Sequence, residues 1–148
     1  MLTYRLLHPE ILEALAESGH GSRVLIADGN YALATNTYEG ARRVFLNLAP
    51  DLLRVTDVLG VLAEAIPIEA AHVMLPDEGG EPPIYSEFRS MLPGLELSPL
   101  GRFDFYDAGR APDLALAIAT GDRRLYANIL LTIGFIPPDP RSDSGTAA

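Results

Sequence analysis

The chain has no cysteine and no tryptophan, and all 11 of its cationic side chains are arginine, none lysine. Without cysteine there can be no disulfide, no thiolate nucleophile and no cysteine-ligated zinc. Without lysine there is no Schiff-base amine, no phosphate-loop lysine and no lysine of the kind phosphoacceptor receiver domains use. Genomic base composition is sufficient to explain the arginine bias. Positive charge is scarce as well: the formal charge is −9 and the pI about 4.6, which argues against nucleic acid and anionic membranes as partners. No apolar run approaches the roughly 20 residues of a membrane span. The segment Met1–His8 lacks the charged and apolar regions of a signal peptide, so a cytoplasmic protein without a membrane partner is expected. His8, His20 and His72 are scattered without ligand spacing, and no metal site is expected.

What is present suits one compact α/β domain. The 148 residues are 48% hydrophobic, enough for a sizeable core. Pro9 opens a helix with Ile11, Leu12, Leu15 and Ala16 on its apolar face, and Gly19 stops it. Val24–Ala27 is too apolar for a half-exposed strand and is expected near the centre of a sheet. Asp28–Gly40 is a polar loop, Arg43–Asn47 a short strand, and Thr56-Asp57 the expected cap of a helix reaching Ile66. A strand over Ala70–Leu75, a helix over Ile84–Leu92, a short helix over Phe103–Gly109 after a connecting segment, and strands over Leu114–Ala119 and Asn128–Ile133 complete the series. Alternating helices and strands predict a single three-layer domain over residues 1–136, with a mostly parallel central sheet flanked by helices. Residues 137–148, rich in Pro, Ser, Asp, Gly and Thr, read as a flexible C-terminal tail.

The residues with chemical potential lie beside these elements. His20 sits between two glycines just past the first helix, ahead of the strand that ends at Asp28. An imidazole moves protons near neutral pH, and ligands of α/β sheets sit at the C-terminal ends of strands. The structural alternatives are ordinary: His20 as a helix-end residue, and Asp28 as the start of an Asx turn. His8 fits a helix start, and His72 a satisfied core histidine. Arg102 precedes the aromatic residues Phe103, Phe105 and Tyr106, and can be a surface arginine or a guanidinium facing a polar ligand. Tyr126 and Asn128 can hydrogen-bond sugar hydroxyls or belong to a plain turn. Asp122-Arg123-Arg124 reads as a solvated turn.

Taken in order, these segments resemble the D-ribose pyranase/L-fucose mutarotase family. The likeness is carried by Pro9-Glu10-Ile11-Leu12, Gly19-His20-Gly21 and Ile26-Ala27-Asp28, then by Arg102-Phe103-Asp104-Phe105-Tyr106, Ile118-Ala119-Thr120-Gly121-Asp122 and Tyr126-Ala127-Asn128-Ile129-Leu130-Leu131. The resemblance implies an isomerase that interconverts the anomers or ring forms of a free monosaccharide without a cofactor. It implies His20 as the catalytic acid, with Asp28, Tyr126 and Asn128 binding substrate. Arg102, in an Arg-Phe-x-Phe-Tyr stretch, resembles the fucose-type branch, where ribose-type members tend to carry histidine. Two departures bear on the sugar: Gly29-Asn30-Tyr31-Ala32 follows Asp28 where better-known members have a proline in the loop, and the loop to Gly40 differs in length and composition.

The chemistry is consistent with these residue types. Opening a cyclic hemiacetal takes a proton from the anomeric hydroxyl and adds one to the ring oxygen, a task within reach of an imidazole. Ribose pyranase, a non-catalytic sugar-binding accessory protein of a transport system, a phosphohistidine protein and a purely structural module are the competing readings. The resemblance also implies a homo-oligomer, a large symmetric ring of decameric kind, with pockets near subunit boundaries. A mean hydropathy of +0.14 agrees with an obligate assembly. The apolar run Ile129–Ile133 beside Tyr126 and Asn128 fits either a subunit contact or a central strand.

Overall fold

Five of the six strands run the same way because helices or long loops carry the chain back between them, and the exception is where no such crossover exists. The computed structural model describes residues 1–141. Along the chain these form α1 (Pro9–Glu17), β1 (Arg23–Ala27), β2 (Arg42–Phe45), α2 (Val55–Ala65), β3 (Ile68–Leu75), α3 (Ile84–Met91), β4 (Leu97–Gly101), α4 (Arg102–Gly109), β5 (Leu114–Ala119) and β6 (Ile129–Ile133). The sheet order is β2-β5-β1-β6-β3-β4. β1 pairs parallel to β5, β5 to β2 and β3 to β4, whereas β6 is antiparallel to both β1 and β3. The link from β5 to β6 contains no helix and is shorter than the dozen or so residues a parallel crossover needs, so β6 returns in the opposite direction. The mostly parallel α/β sheet expected from the sequence is therefore present, and β1 is central as expected.

Local signals place most element ends. Pro9 is at the start of α1, and the preceding His8 caps it, Nδ1 accepting from the Ile11 N–H at 3.4 Å. Ile11 and Ala14 bury the inner face, while Ala16, expected inward, is exposed. The expected Thr56-Asp57 cap of α2 is displaced. The helix begins at Val55, the Asp57 carboxylate accepts from the Arg54 N–H at 2.8 Å, and the Val55 N–H donates to Asp122 Oδ2 at 3.0 Å. β4 lies within what the sequence predicts to be a connecting segment. It contains Pro99 and pairs only with β3, consistent with the confinement of strand proline to sheet edges. Of the expected tail, residues 137–141 are exposed and form no helix or strand, and 142–148 lie outside the described residues.

Helices α1, α2 and α3 cover one face of the sheet over Val24, Ile26, Val73, Leu116, Ile118 and Ile129. Phe105 of α4 and Leu33 of the loop after β1 cover the other, over Leu25, Met74, Ala117 and Leu130. All five residues of β6 are buried between β1 and β3, so its apolar run belongs to a central strand and not to a subunit contact. Of the aromatic residues that follow Arg102, Phe105 is fully buried whereas Phe103 is 70% exposed. His72 is half-buried, and its Nδ1 is buried without a hydrogen-bond partner, as is Thr132 Oγ1. The expected satisfied histidine is thus corrected: its neighbour in register on β6 is Leu130, which offers no side-chain polar atom. Burial, assisted by the Arg23 charge, holds its pKa below the ordinary value and keeps the ring neutral.

The turn Asp122-Arg123-Arg124, expected to be solvated, is instead anchored in the interior. Asp122 is fully buried. Its Oδ1 accepts from the backbone and Nε of Arg124, both at 3.0 Å, and Oδ2 from Arg124 Nη2 at 2.7 Å as well as from Val55. The preceding Gly121 lies under the loop before α2, where a Cβ would stand 2.2 Å from the Ala49 carbonyl oxygen, so only glycine fits. Burial pushes the Asp122 carboxyl up, but the bonds from Arg124 and Val55 outweigh it and hold its pKa below the ordinary carboxylate value. A depressed carboxylate contributes stability that is present above the unfolded pKa of about 3.9 and is lost as pH falls through the folded value. Asp122→Asn is therefore predicted to cost about 3 kcal/mol at pH 7, by analogy with other broken buried pairs. In urea denaturation at fixed protein concentration, the gap from wild type should narrow below pH 4; a gap that widens on acidification would contradict this account.

Candidate functional site

The five parallel strands end at one edge of the sheet, and antiparallel β6 begins there. This is the edge at which open α/β sheets bind ligands. Asp28 follows β1, Met74 lies near the end of β3, Arg102 starts α4 directly after β4, and Tyr126 and Asn128 precede β6. Together with Asn30, Tyr31, Tyr106 and Leu125 they line a cleft of about 220 Å³. Drug-sized ligands occupy about 300 Å³ or more, so this volume suits a smaller, polar molecule.

Asp28 and Asn128 form the floor of the cleft and fix each other. The Asp28 N–H donates to Asn128 Oδ1 at 2.8 Å, and Asn128 Nδ2 donates to Asp28 Oδ2 at 3.1 Å. The reciprocal pair determines which way the Asn128 amide faces. Asp28 Oδ1 accepts from the Asn30 and Tyr31 N–H groups, each at 3.0 Å, in an Asx turn that folds the loop back over the cleft. The turn anticipated as an alternative to function is thus part of the site. Burial raises the Asp28 pKa, with a smaller push from the Asp122 charge, against the lowering effect of the bonds from Asn30, Tyr31 and Asn128.

The walls are aromatic. Tyr126 has φ +61°, a left-handed conformation that costs a non-glycine residue about 1 kcal/mol or more. The fully buried Ala127 and the Asn128–Asp28 pair anchor the chain after it. Arg102 Nε donates to Tyr106 Oη at 3.1 Å, and its guanidinium lies 5.7 Å from the Phe103 ring centroid and 5.6 Å from that of Tyr106. Tyr31 meets Phe105 and Tyr106 edge to face, and its hydroxyl donates to the Asn36 carbonyl at 3.3 Å. Burial pushes the Tyr31 phenol well above its ordinary pKa, so it remains a neutral donor. Tyr31, Tyr106, Asn30, Met74 and Leu125 are additional to the residues singled out from sequence. Tyr31 was accessible in principle, since an Asx turn from Asp28 puts it over the carboxylate.

His20 is not in this cleft. It lies before β1 and Asp28 lies after it, separated by about 16 Å of extended chain. The imidazole is exposed at the far edge of the sheet, 2.8 Å from Glu69 through Nε2, with the Phe135 ring centroid 5.4 Å from its own. The structure thus gathers four of the five predicted site residues and leaves the fifth elsewhere.

Three larger clefts open nearby. One of about 310 Å³ lies by Asn47, Gly121 and Arg123, one of about 500 Å³ lies between Pro82, Glu87 and Leu125, and one of about 240 Å³ lies on the other side of Asp28 and Tyr31, toward Phe45 and Thr120. None combines a buried carboxylate, a buried amide and an arginine as the smaller cleft does. Among the described residues no three histidine, aspartate or glutamate side chains are grouped to hold a metal, and no helix is long and apolar enough to cross a membrane.

The description of the RbsD / FucU transport protein family matches residues 1–136. The chain belongs to the RbsD/FucU family. This family member is 30% identical over 146 residues to the fucose mutarotase of Danio rerio, spanning 90% of this chain and 92% of that one. It is 28% identical to the fucose mutarotase of Homo sapiens, over 91% and 93% of the two chains. Its fold is similar to the Streptococcus pneumoniae fucose mutarotase solved with L-fucose, with TM-score 0.76, 26% identity and coverage of 90% of this chain and 97% of that one. Bacillus subtilis RbsD, solved with D-ribose, has the same fold, with TM-score 0.81, 23% identity and coverage of 93% and 100%.

Removing the Asn128 side chain from this RbsD/FucU member leaves the buried Asp28 N–H without its acceptor. Asn128→Ala is expected to lower stability by about 2 kcal/mol. Denaturant midpoints of the two proteins measure this; an unchanged midpoint would show the pair to be dispensable.

Proposed function

We propose that the chain is a cofactor-independent sugar mutarotase, an isomerase exchanging the anomers or ring forms of a free aldose of fucose type. The observation that carries this reading is the convergence of Asp28, Arg102, Tyr126 and Asn128 on one cleft of monosaccharide size, in a family member similar to the fucose mutarotases of Danio rerio and Homo sapiens. Asp28 and Asn128 supply fixed acceptors and a donor for hydroxyls. Tyr31, Tyr106 and Tyr126 offer ring faces to the apolar side of a pyranose. Arg102 is the cationic side chain lining the cleft, and its stacking on Tyr106 limits its freedom.

The proton-transfer group is His20, presented by a second copy of the chain. In its own protomer His20 is beyond reach of Asp28. Exposed apolar side chains flank both halves of such a site: Phe135 and Ile136, 64% and 81% exposed, follow β6 on the His20 side, and Phe103 and Leu125, 70% and 69% exposed, border the cleft. Two different patches that bury each other head to tail generate a closed ring when the rotation closes. The assembly, decameric by resemblance, then places an imidazole over each cleft. If no second copy docks, the cleft has binding groups without its acid–base partner, which is the sugar-binding accessory reading.

Exchange spectroscopy separates the two. Saturation transfer between anomers across fucose, ribose, galactose, rhamnose and arabinose should be faster with protein than in buffer, with nothing added. His20→Ala should slow it by roughly 10²-fold or more. Equal mixing of His20→Ala and Asp28→Asn protomers, each inactive alone, should restore about a quarter of wild-type exchange once subunits are scrambled; a mixture as inactive as its parts would exclude a shared site. Sugar binding without faster exchange for any aldose would favour the accessory protein. Arg102→His should shift preference from fucose toward ribose, and an unchanged ratio of the two exchange rates would remove Arg102 from specificity.

A further inference from the structure

We propose that Glu69 is a positioning residue for His20: its carboxylate holds the imidazole by Nε2 and leaves Nδ1 as the atom that exchanges protons with the sugar. This rests on the reading of His20 as the acid–base group of a neighbouring cleft.

Several independent features of the fold converge on this contact. Glu69 Oε2 is 2.8 Å from His20 Nε2. Where β3 pairs with β6, Ile68 stands opposite Ile133 and Ala70 opposite Thr132, so Glu69 is the extra residue of a β-bulge. A bulge re-aims the side chain it carries, and bulges concentrate near active sites. Gly134, the first residue after β6, closes over Glu69: a Cβ there would be 3.3 Å from Glu69 Cβ and 3.7 Å from its Oε2. The turn carrying His20 is tied to the same strand end, the Gly21 N–H donating to the Ile133 carbonyl at 2.9 Å. The Phe135 ring then packs against the imidazole at a tilt of 56°. A bare surface ion pair contributes little and would not require a bulge, a close glycine and an adjoining aromatic ring around it.

The consequence is chemical. A neutral imidazole carries one N–H and one lone pair, and the hydrogen bond made by one nitrogen decides which is which. With Glu69 accepting from Nε2–H, the lone pair is on Nδ1. Nδ1 takes the proton of the anomeric hydroxyl as the bond from the anomeric carbon to the ring oxygen breaks and the carbonyl forms. The same Nδ1–H then protonates the released ring oxygen, giving the open-chain aldehyde and the neutral ring. Reversal on the other carbonyl face gives the other anomer. Throughout, Nε2–H stays on the imidazole, and the Glu69 charge stabilises the transient imidazolium.

The test uses the full-length protein with ¹⁵N-labelled histidine. In wild type, His20 should show predominantly the Nε2–H tautomer. Glu69→Gln should weaken that preference and lower exchange turnover roughly tenfold or more, with KM unchanged because Glu69 is outside the cleft. Glu69→Asp, which keeps the charge on a shorter arm, should recover part of the turnover. Unchanged tautomer and turnover in Glu69→Gln, while His20→Ala abolishes exchange, would overturn the role of Glu69 alone. Full exchange by His20→Ala would overturn the reading on which it rests. Loss of turnover with a smaller assembly by light scattering and an unaltered tautomer would make Glu69 an interface residue and also overturn the proposal.

Discussion

The buried carboxylate of Asp122 ties together the segments that meet at the C-terminal edge of the sheet. Through its side chain it supplies the missing acceptor at the start of α2 and clamps Arg124. Through its backbone carbonyl it accepts the Gly29 N–H at 2.8 Å, next to Asp28. Its own N–H donates to Thr120 Oγ1, whose hydroxyl donates in turn to the Ala27 carbonyl. A charge taken this far from water is tolerated because every lone pair that faces the interior meets a donor. The position of the cleft floor therefore depends on a residue that does not line the cleft. The Asp122 charge also adds to the upward push on Asp28, so the same group couples stability to the electrostatics of the site.

The antiparallel β6 is the second determinant. In a fully parallel sheet only strand ends would reach the ligand edge. Because β6 runs backward, its beginning arrives there and delivers Tyr126 and Asn128 beside Asp28, which lies 100 residues away in sequence from Asn128. Its end emerges at the opposite edge, where Gly134 and Phe135 form the setting of His20 and Glu69. One strand thus brings Tyr126 and Asn128 to one edge of the sheet and Gly134 and Phe135 to the other. Under the proposed function, head-to-tail contact between copies would join these two edges, since a rigid strand cannot fold back on itself.

Much of this protein was determined locally by its sequence. The α/β class, the central position of β1, the start of α1 at Pro9 and most strand positions follow from side-chain periodicity and terminal residues, which act over a few positions. Asp28, Arg102, Tyr126 and Asn128 were identifiable because the order of short motifs marks them. Other features lay outside local pattern. β4 carries a proline and too little alternation to announce itself, and only its pairing with β3 makes it a strand. Asp122 looks like a turn residue because its pair with Arg124 is local, while its distant partner Val55 and its burial are supplied by the folded arrangement. His72 looks satisfied until its neighbours in register are known. The separation of His20 from Asp28 depends on strand direction and sheet order, and Glu69 becomes a partner of His20 only through a bulge. The sequence by itself determined most of the helices and strands, β4 excepted, and which side chains can do acid–base or hydroxyl chemistry; the tertiary structure alone decided which of those side chains meet, because hydrogen-bond registers and burial are set between strands and not along them.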